Sequence, residues 1–220
     1  MLGIIPESYF PILRLARSQY RDDLPYHNFP HAVHTGIEVL ELSDRCDQFG
    51  IPVDRDVAFF AAAFHDAGMG MPGREAFASD EEFAAHISGR VLREAGIAVG
   101  VITRVQQCIF SSHREATFDS TEAKILRAAD LAGLRGPYAL FLQKTLLLKR
   151  EREVLTGKPC SWAQWKDATR RLVEFFLSQD IRLTPLHETE DGESAFHVAA
   201  QRNLEQFLRE PDELLEMLVV

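Results

Sequence analysis

The sequence predicts an all-α fold, a compact helical bundle, and three observations lead to this prediction. Apolar residues recur every three or four positions through most of the chain, which is the spacing of amphipathic helices. Residues that cap helices, such as Asp54 and Ser79, precede several of these stretches. The two-residue alternation of a β-strand is scarce.

The first predicted helix runs from about Pro30 to Phe49. Asn28 precedes it, and Pro30 suits a first helical turn, where the missing N–H costs no hydrogen bond. Gly50 and Pro52 follow it and predict its end.

The next helix is predicted to be the central buried one. Asp54 can cap it, and Val57–Phe64 is an uninterrupted apolar run, so every side of this helix is apolar. The helix is predicted to end at His65-Asp66, with Gly68 as its C-terminal cap. Two polar residues therefore stand at the end of the most hydrophobic helix in the chain.

The remaining chain predicts further helices, again from apolar periodicity and caps. The first of them opens at the S-x-x-E capping box of Ser79 and ends near Gly96. The others cover about 99–111, 119–134, 137–156, 162–179 and 194–208. We expect one domain over residues 1–220, with a core of about 26–134 and the helices of 137–220 packed on it.

Composition excludes several classes of protein. The 220 residues are 46% hydrophobic and 26% charged, an ordinary balance for a globular chain. A net charge of −9 disfavours a nucleic-acid polymer as partner, because such binders need a dense basic surface. A small anionic substrate remains compatible with this charge if metal ions supply positive charge locally.

Cysteine usage and the apolar runs predict a cytoplasmic protein that does not enter a membrane. The three cysteines form no C-x-x-C pair, which argues against a disulfide framework and a thiolate zinc site. The start of the chain lacks the basic region of a signal peptide. The longest apolar run has eight residues, whereas a bilayer-spanning helix needs about 20. The sequence is compatible with a homodimer.

An ordered set of histidines and aspartates is the strongest indication of a functional site in the sequence. It consists of His31, His65-Asp66, His86, His113 and Asp130. Burying an imidazole or a carboxylate is costly unless the group is paired or binds a metal. Each member alone has an ordinary alternative: a solvent-facing polar pair for His65-Asp66, packing residues for His86 and His113, and a salt-bridged carboxylate for Asp130.

The ordered set resembles the HD superfamily of metal-dependent phosphohydrolases. The run Tyr26-His27-Asn28-x-x-His31-Ala32 resembles the entry motif of the cyclic-nucleotide phosphodiesterases in that superfamily. The resemblance covers roughly residues 26–134. It implies an HD-domain helical bundle with the metal site between the central helices.

The resemblance also implies a role for each residue. His31, His65, Asp66 and Asp130 match the ligands of the minimal HD site, and His86 and His113 match the histidines of members that hold two metals. Asp66 then bridges the two ions, and His27 protonates the leaving oxygen. Imidazole and carboxylate ligands together favour one or two divalent ions of Fe, Mn, Co or Zn.

Some family signatures are missing. No Lys follows His65-Asp66, and neither the paired histidines nor the G-Y-P run of cyclic-dinucleotide hydrolases is present. We cannot place a purine-clamping Gln either. The expectation is therefore a small phosphoester or nucleotide of undefined identity. Arg114, Lys124 and Arg127 are weaker candidates for binding its phosphate, each with the alternative of a solvated surface charge.

Three functions are compatible with this pattern. The leading one is hydrolysis of a small phosphoester or nucleotide by a metal-activated water, in an enzyme of the phosphodiesterase or phosphomonoesterase type. The second is a di-iron HD-type oxygenase that cleaves a carbon bond. The third is a non-catalytic, metal-containing binding module. A proton donor at His27 favours catalysis, because a pure binding module does not need one.

Overall fold

The computed structural model describes residues 5–113, 117–179, 181–185 and 188–218. Within these residues every regular element is a helix, and the β-pairing consists of a single bridge between Glu188 and Ser194. The all-α prediction is therefore confirmed. No helix in the described residues has both the length and the apolar character needed to cross a bilayer.

The chain divides into two compact units, residues 1–130 (unit 1) and residues 131–220 (unit 2). The helices of unit 1 are α1 (Phe10–Arg17), α2 (Phe29–Gln48), α3 (Arg55–Phe64), α4 (Asp80–Glu94), α5 (Val99–Phe110) and α6 (Thr121–Asp130), with short 3-10 turns at Glu7–Tyr9 and Arg74–Ala76. The helices of unit 2 are α7 (Ala132–Arg135), α8 (Tyr138–Thr156), α9 (Trp162–Leu177), α10 (Ala195–Arg209) and α11 (Asp212–Met217).

Helix α3 is the centre of unit 1. All eight residues of Val57–Phe64 are buried, and α3 packs against α1, α2, α4, α5 and α6. Complete burial of a side chain such as Phe59 contributes roughly 1.5–3 kcal/mol. Gly36 lets α2 approach α3 closely, because a Cβ there would lie 2.9 Å from Cε2 of Phe59. The predicted central helix is confirmed.

Side chains cap three helices of unit 1, and the caps predicted at Asp54 and Ser79 are confirmed. The Asn28 side chain accepts a hydrogen bond from the His31 N–H (3.2 Å), Asp54 accepts from Val57 (3.2 Å), and Ser79 accepts from Glu82 (3.1 Å). Each cap satisfies an N–H of the first turn that has no partner within its helix.

Other boundaries differ from the predictions. The predicted helix over 119–134 is two helices, α6 and α7, with Leu131 between them. Helices α1 and α11 were not predicted. Their N-cap residues, Tyr9 and Pro211, make no side-chain capping hydrogen bond.

Unit 2 has its own core. Phe141 and Phe207 pack there with the two tryptophans of α9, Trp162 and Trp165. A complete capping box of Ser161 and Gln164 opens α9. The three cysteines of the chain are buried, and none forms a disulfide.

Candidate metal centre

Three helices of unit 1 bring the central residues together. His31 lies in the first turn of α2, where the Asn28 cap holds its backbone. His65 and Asp66 directly follow the last residue of α3, and Asp130 is the last residue of α6. Because α3 packs on both α2 and α6, the ends of these helices place the four side chains at one point.

The ligand atoms of His31, His65 and Asp130 lie within 4.8 Å of one another, so these residues are a group that can hold a metal ion. His31 Nε2 lies 3.1 Å from Oδ1 of Asp130, and His65 Nε2 lies 3.5 Å from the same oxygen. Asp66 Oδ2 contacts both imidazoles, at 2.8 Å from His65 Nε2 and 3.3 Å from His31 Nε2. Two imidazoles and two carboxylates therefore meet here.

Two of these atoms are buried without a hydrogen bond. His65 Nε2 and Asp66 Oδ2 have no hydrogen-bond partner among the described residues, although they lie within ion-pair distance of each other. Such atoms are rare in proteins, because each loses its hydration without compensation. A cation between them would compensate both.

The hydrogen bond at the other ring nitrogen of His65 fixes the orientation of the ring. Nδ1 lies 2.8 Å from the carbonyl oxygen of Ala62, which can only accept, so Nδ1 carries a proton. Nε2 faces the carboxylates of Asp66 and Asp130, where a bound metal would take the place of the proton on this nitrogen. This is how proteins orient a metal-binding imidazole, with the second nitrogen donating to a carbonyl or carboxylate.

The spacing of the ligand atoms also fits a metal ion. Ligand atoms about 2.1 Å from a common ion lie about 3.0–3.4 Å apart for bond angles of about 90–110°. The four nitrogen–oxygen distances in this group span 2.8–3.5 Å, close to that range. The residues present therefore fit a metal ion.

The pKa shifts in this group favour ionised carboxylates. Burial opposes a charged imidazole at His65, but Asp66 and Asp130 outweigh burial and hold the pKa of His65 well above its usual value. Burial also opposes ionisation of Asp66, yet His65 and His27 hold the pKa of Asp66 well below its usual range. The imidazoles of His31 and His65 lower the pKa of Asp130 in the same way, against its burial. Both carboxylates are therefore ionised and favour a cation between them.

The turn after α3 is held by neighbours that the sequence did not reveal. The last carbonyl groups of α3 all have partners: Ala62 accepts from His65 Nδ1, Ala63 from the hydroxyl of Tyr20 (3.1 Å), and Phe64 from the N–H of Ala67 (3.0 Å). Burial, and after it the charge of Asp66, raises the pKa of Tyr20, so its hydroxyl stays protonated and donates. No local pattern predicts this contact, because Tyr20 and Ala63 lie 43 positions apart.

His27 lies beside the group, and its role as proton donor stays a prediction. Its side chain is half-buried, and the centre of its ring is 5.8 Å from that of His31, with the two planes almost perpendicular. Tyr26 contacts both rings, at 4.8 Å from His27 and 4.6 Å from His31. The charge of His27 also helps to hold the pKa of Asp66 below its usual range.

His86 and His113 are not members of the group that the described residues form. His86 is exposed on α4, with its ring 5.1 Å from that of Phe77. His113 is half-buried just after α5, and its backbone carbonyl accepts a hydrogen bond from Arg127 (2.6 Å). A second metal at these two histidines stays a prediction.

The candidate phosphate-binding residues have different surroundings. Arg127 is buried, bonds to the carbonyl of His113 and lies over the ring of Phe118 at 5.9 Å. Lys124 is half-buried on α6. Arg114 lies outside the described residues.

The sequence comparisons identify no family and no curated relative that could indicate a role for these residues. No protein-family model matches the chain, and no curated protein matches it in sequence. The functional conclusion therefore rests on the residues themselves.

Proposed function

We propose that this chain is a metal-dependent hydrolase that acts on a small phosphoester or nucleotide. One observation carries the proposal: two imidazoles and two carboxylates meet in unit 1, with His65 Nε2 and Asp66 Oδ2 buried and lacking hydrogen bonds. The resemblance of the ordered residues to HD phosphohydrolases supports the same conclusion.

The residues that would hold the ion are His31, His65, Asp66 and Asp130. A divalent ion bound there supplies a Lewis acid that polarises a phosphoryl oxygen and makes a water molecule acidic enough to attack near pH 7. The protein orients the donors: the Ala62 carbonyl fixes the ring of His65, and the Asn28 cap fixes the helix turn that carries His31.

His27 is the proposed proton donor for the leaving oxygen. An imidazole changes its charge near neutral pH, and a positioned general acid contributes about 10²–10⁴-fold to rate. Tyr26 packs against both His27 and His31 and so keeps the proposed donor next to the ligand.

The charge of the chain favours a small substrate. Thirty-three acidic residues against 24 basic ones repel a long polyanion, whereas one phosphate group needs only local positive charge. In the proposed site the metal ion provides that charge.

Metal content and phosphoester hydrolysis test the proposal together. The full chain is purified from metal-supplemented culture, and its bound ions are counted before activity is measured on bis-p-nitrophenyl phosphate and p-nitrophenyl phosphate. We expect at least one transition-metal ion per chain and hydrolysis with Mn²⁺ or Co²⁺ in the absence of oxygen. A chain without metal, or one whose activity requires iron and oxygen, would overturn the proposal.

Three histidine variants separate binding from catalysis. His65→Ala should lose both metal and activity, and His27→Ala should keep the metal while kcat falls at least about 100-fold. His34→Ala is the matched control, because His34 lies one turn after His31 on α2 and belongs to no ligand group in the described residues. Unchanged turnover in His27→Ala would remove the proposed proton donor.

The number of ions is tested at His86 and His113. If the site holds two ions, as the resemblance implies, His86→Ala and His113→Ala each lower the metal content from about two to about one. If the wild type binds one ion and both variants keep it, the minimal four-residue site is the whole metal centre.

A further inference from the structure

The segment Gln19–Arg21, just after α1, holds the residues on both sides of His65-Asp66. Before the pair, the Tyr20 hydroxyl donates to the carbonyl of Ala63 (3.1 Å). After the pair, the N–H of Gly68 donates to the carbonyl of Gln19 (2.8 Å). Farther along, the Arg21 guanidinium donates to the carbonyl of Gly70 (2.9 Å). Each of three consecutive residues therefore forms one hydrogen bond to the turn that carries His65 and Asp66.

Tyr20 is the centre of this segment. Its side chain is buried at the end of α3, and its ring lies 6.0 Å from that of Phe29. Phe29 is the first residue of α2, two positions before His31. Tyr20 therefore touches the ligand-bearing ends of both α2 and α3.

We propose that Tyr20 is a positioning residue for the metal ligands His65 and Asp66. This role rests on the proposed function, because it matters only if the site binds a metal. Groups that orient metal ligands typically change metal affinity by about 10–100-fold when they are mutated. Tyr20 bonds the carbonyl two positions before His65, and so fixes the direction in which the imidazole leaves the helix.

A purely structural role is the alternative, and Tyr9 provides the control for it. Tyr9 is also a buried tyrosine that bonds to α3, but at the opposite end of the helix. Its hydroxyl donates to Oδ1 of Asp56 (2.9 Å), and its ring stacks on Phe59 at 4.2 Å. Tyr20→Phe and Tyr9→Phe each remove one hydroxyl that bonds to the same helix, so both variants should lose some stability.

The test compares the two variants in Co²⁺ binding by the full chain. Affinity is measured by calorimetric titration, the visible absorption of bound Co²⁺ reports ligand geometry, and thermal unfolding without metal measures stability. We expect Tyr20→Phe to weaken Co²⁺ binding by about 10-fold and to change the absorption bands. Tyr9→Phe should bind within about 2-fold of the wild type with an unchanged spectrum.

The outcomes distinguish the two proposals. If the wild type does not bind Co²⁺, the proposed metal site fails, and the role of Tyr20 fails with it. If the wild type binds and the two variants have equal affinities and spectra, the metal site stands but the positioning role of Tyr20 is refuted. The positioning role is also refuted if Tyr20→Phe and Tyr9→Phe lose Co²⁺ affinity to the same extent, in proportion to their loss of stability.

Discussion

Gly68 offers a quantitative test of how the turn after α3 is built. Its φ is +85°, in the left-handed region that suits glycine. A Cβ added there would lie 2.5 Å from Cδ1 of Ile87 and 2.6 Å from Cε1 of Phe83, both on α4. The change Gly68→Ala therefore combines an unfavourable backbone conformation with a steric conflict.

The two contributions can be estimated separately. The left-handed conformation costs an alanine about 1–2 kcal/mol, and inserting a methyl group into a packed interior costs about 1–3 kcal/mol. Gly96 is the matched control in the same unit, because its φ is +76° and no atom lies within 4 Å of its added Cβ. Gly96→Ala therefore includes the backbone cost alone, and the difference between the variants measures the steric term.

Urea unfolding followed by circular dichroism measures both variants. We expect Gly68→Ala to lower the free energy of unfolding by about 2–5 kcal/mol and Gly96→Ala by about 1–2 kcal/mol. Because the Gly68 N–H bonds to Gln19, metal affinity should also fall in Gly68→Ala and remain unchanged in Gly96→Ala. Equal losses of stability would refute the reasoning, since they would mean that α4 does not confine the turn.

Three further predictions concern metal removal, thiol reactivity and pH. Removing metal with a chelator should lower the Tm of the wild type by about 5–10 °C, the loss expected for a ligand present at about 100 times its Kd. The Tm of His65→Ala should not change. An equal response of both proteins contradicts the proposed metal site. Burial raises the pKa of Cys108 to about 12, so iodoacetamide at pH 8 should modify it only after unfolding, as read by mass spectrometry; rapid modification of the folded chain contradicts this. Burial opposes ionisation of Glu153, but the hydrogen bonds from Lys149 and from the N–H of Cys160 outweigh it and lower the pKa of Glu153. The ionised carboxylate therefore stabilises the fold above its unfolded pKa, and this stability is lost as pH falls through its folded pKa. Glu153→Gln should make the free energy of unfolding depend less on pH at acid pH. An unchanged dependence contradicts the assignment.

The helices were predictable where local chemistry determines them. The Asn28, Asp54 and Ser79 caps each satisfy an N–H three residues later, and that spacing is visible in the sequence. The apolar run Val57–Phe64 likewise predicted a buried central helix. Helix α1 was missed, because no side-chain cap marks its start and its stability comes from packing on α3.

The candidate site was predictable in part for a similar reason. His31, His65 and Asp130 stand at helix ends, where a rigid fold places them, and the structure brings them together. The hydrogen bond of Tyr20 was not predictable, because it joins residues 43 positions apart and leaves no local pattern. The orientation of the His65 ring likewise depends on the Ala62 carbonyl, which only the folded helix presents.

The complete burial of α3 also has a consequence for hydrogen exchange. We expect the amides of residues 57–64 to exchange with solvent only when unit 1 unfolds, because all eight residues are buried. Residues 69–78, a few positions later, are half-buried or exposed, so we expect their amides to exchange faster, through local opening. His65 and Asp66 lie between these two segments. If the pair binds a metal ion, as proposed, the ion can then exchange with solvent when the adjoining loop opens, without unfolding of α3.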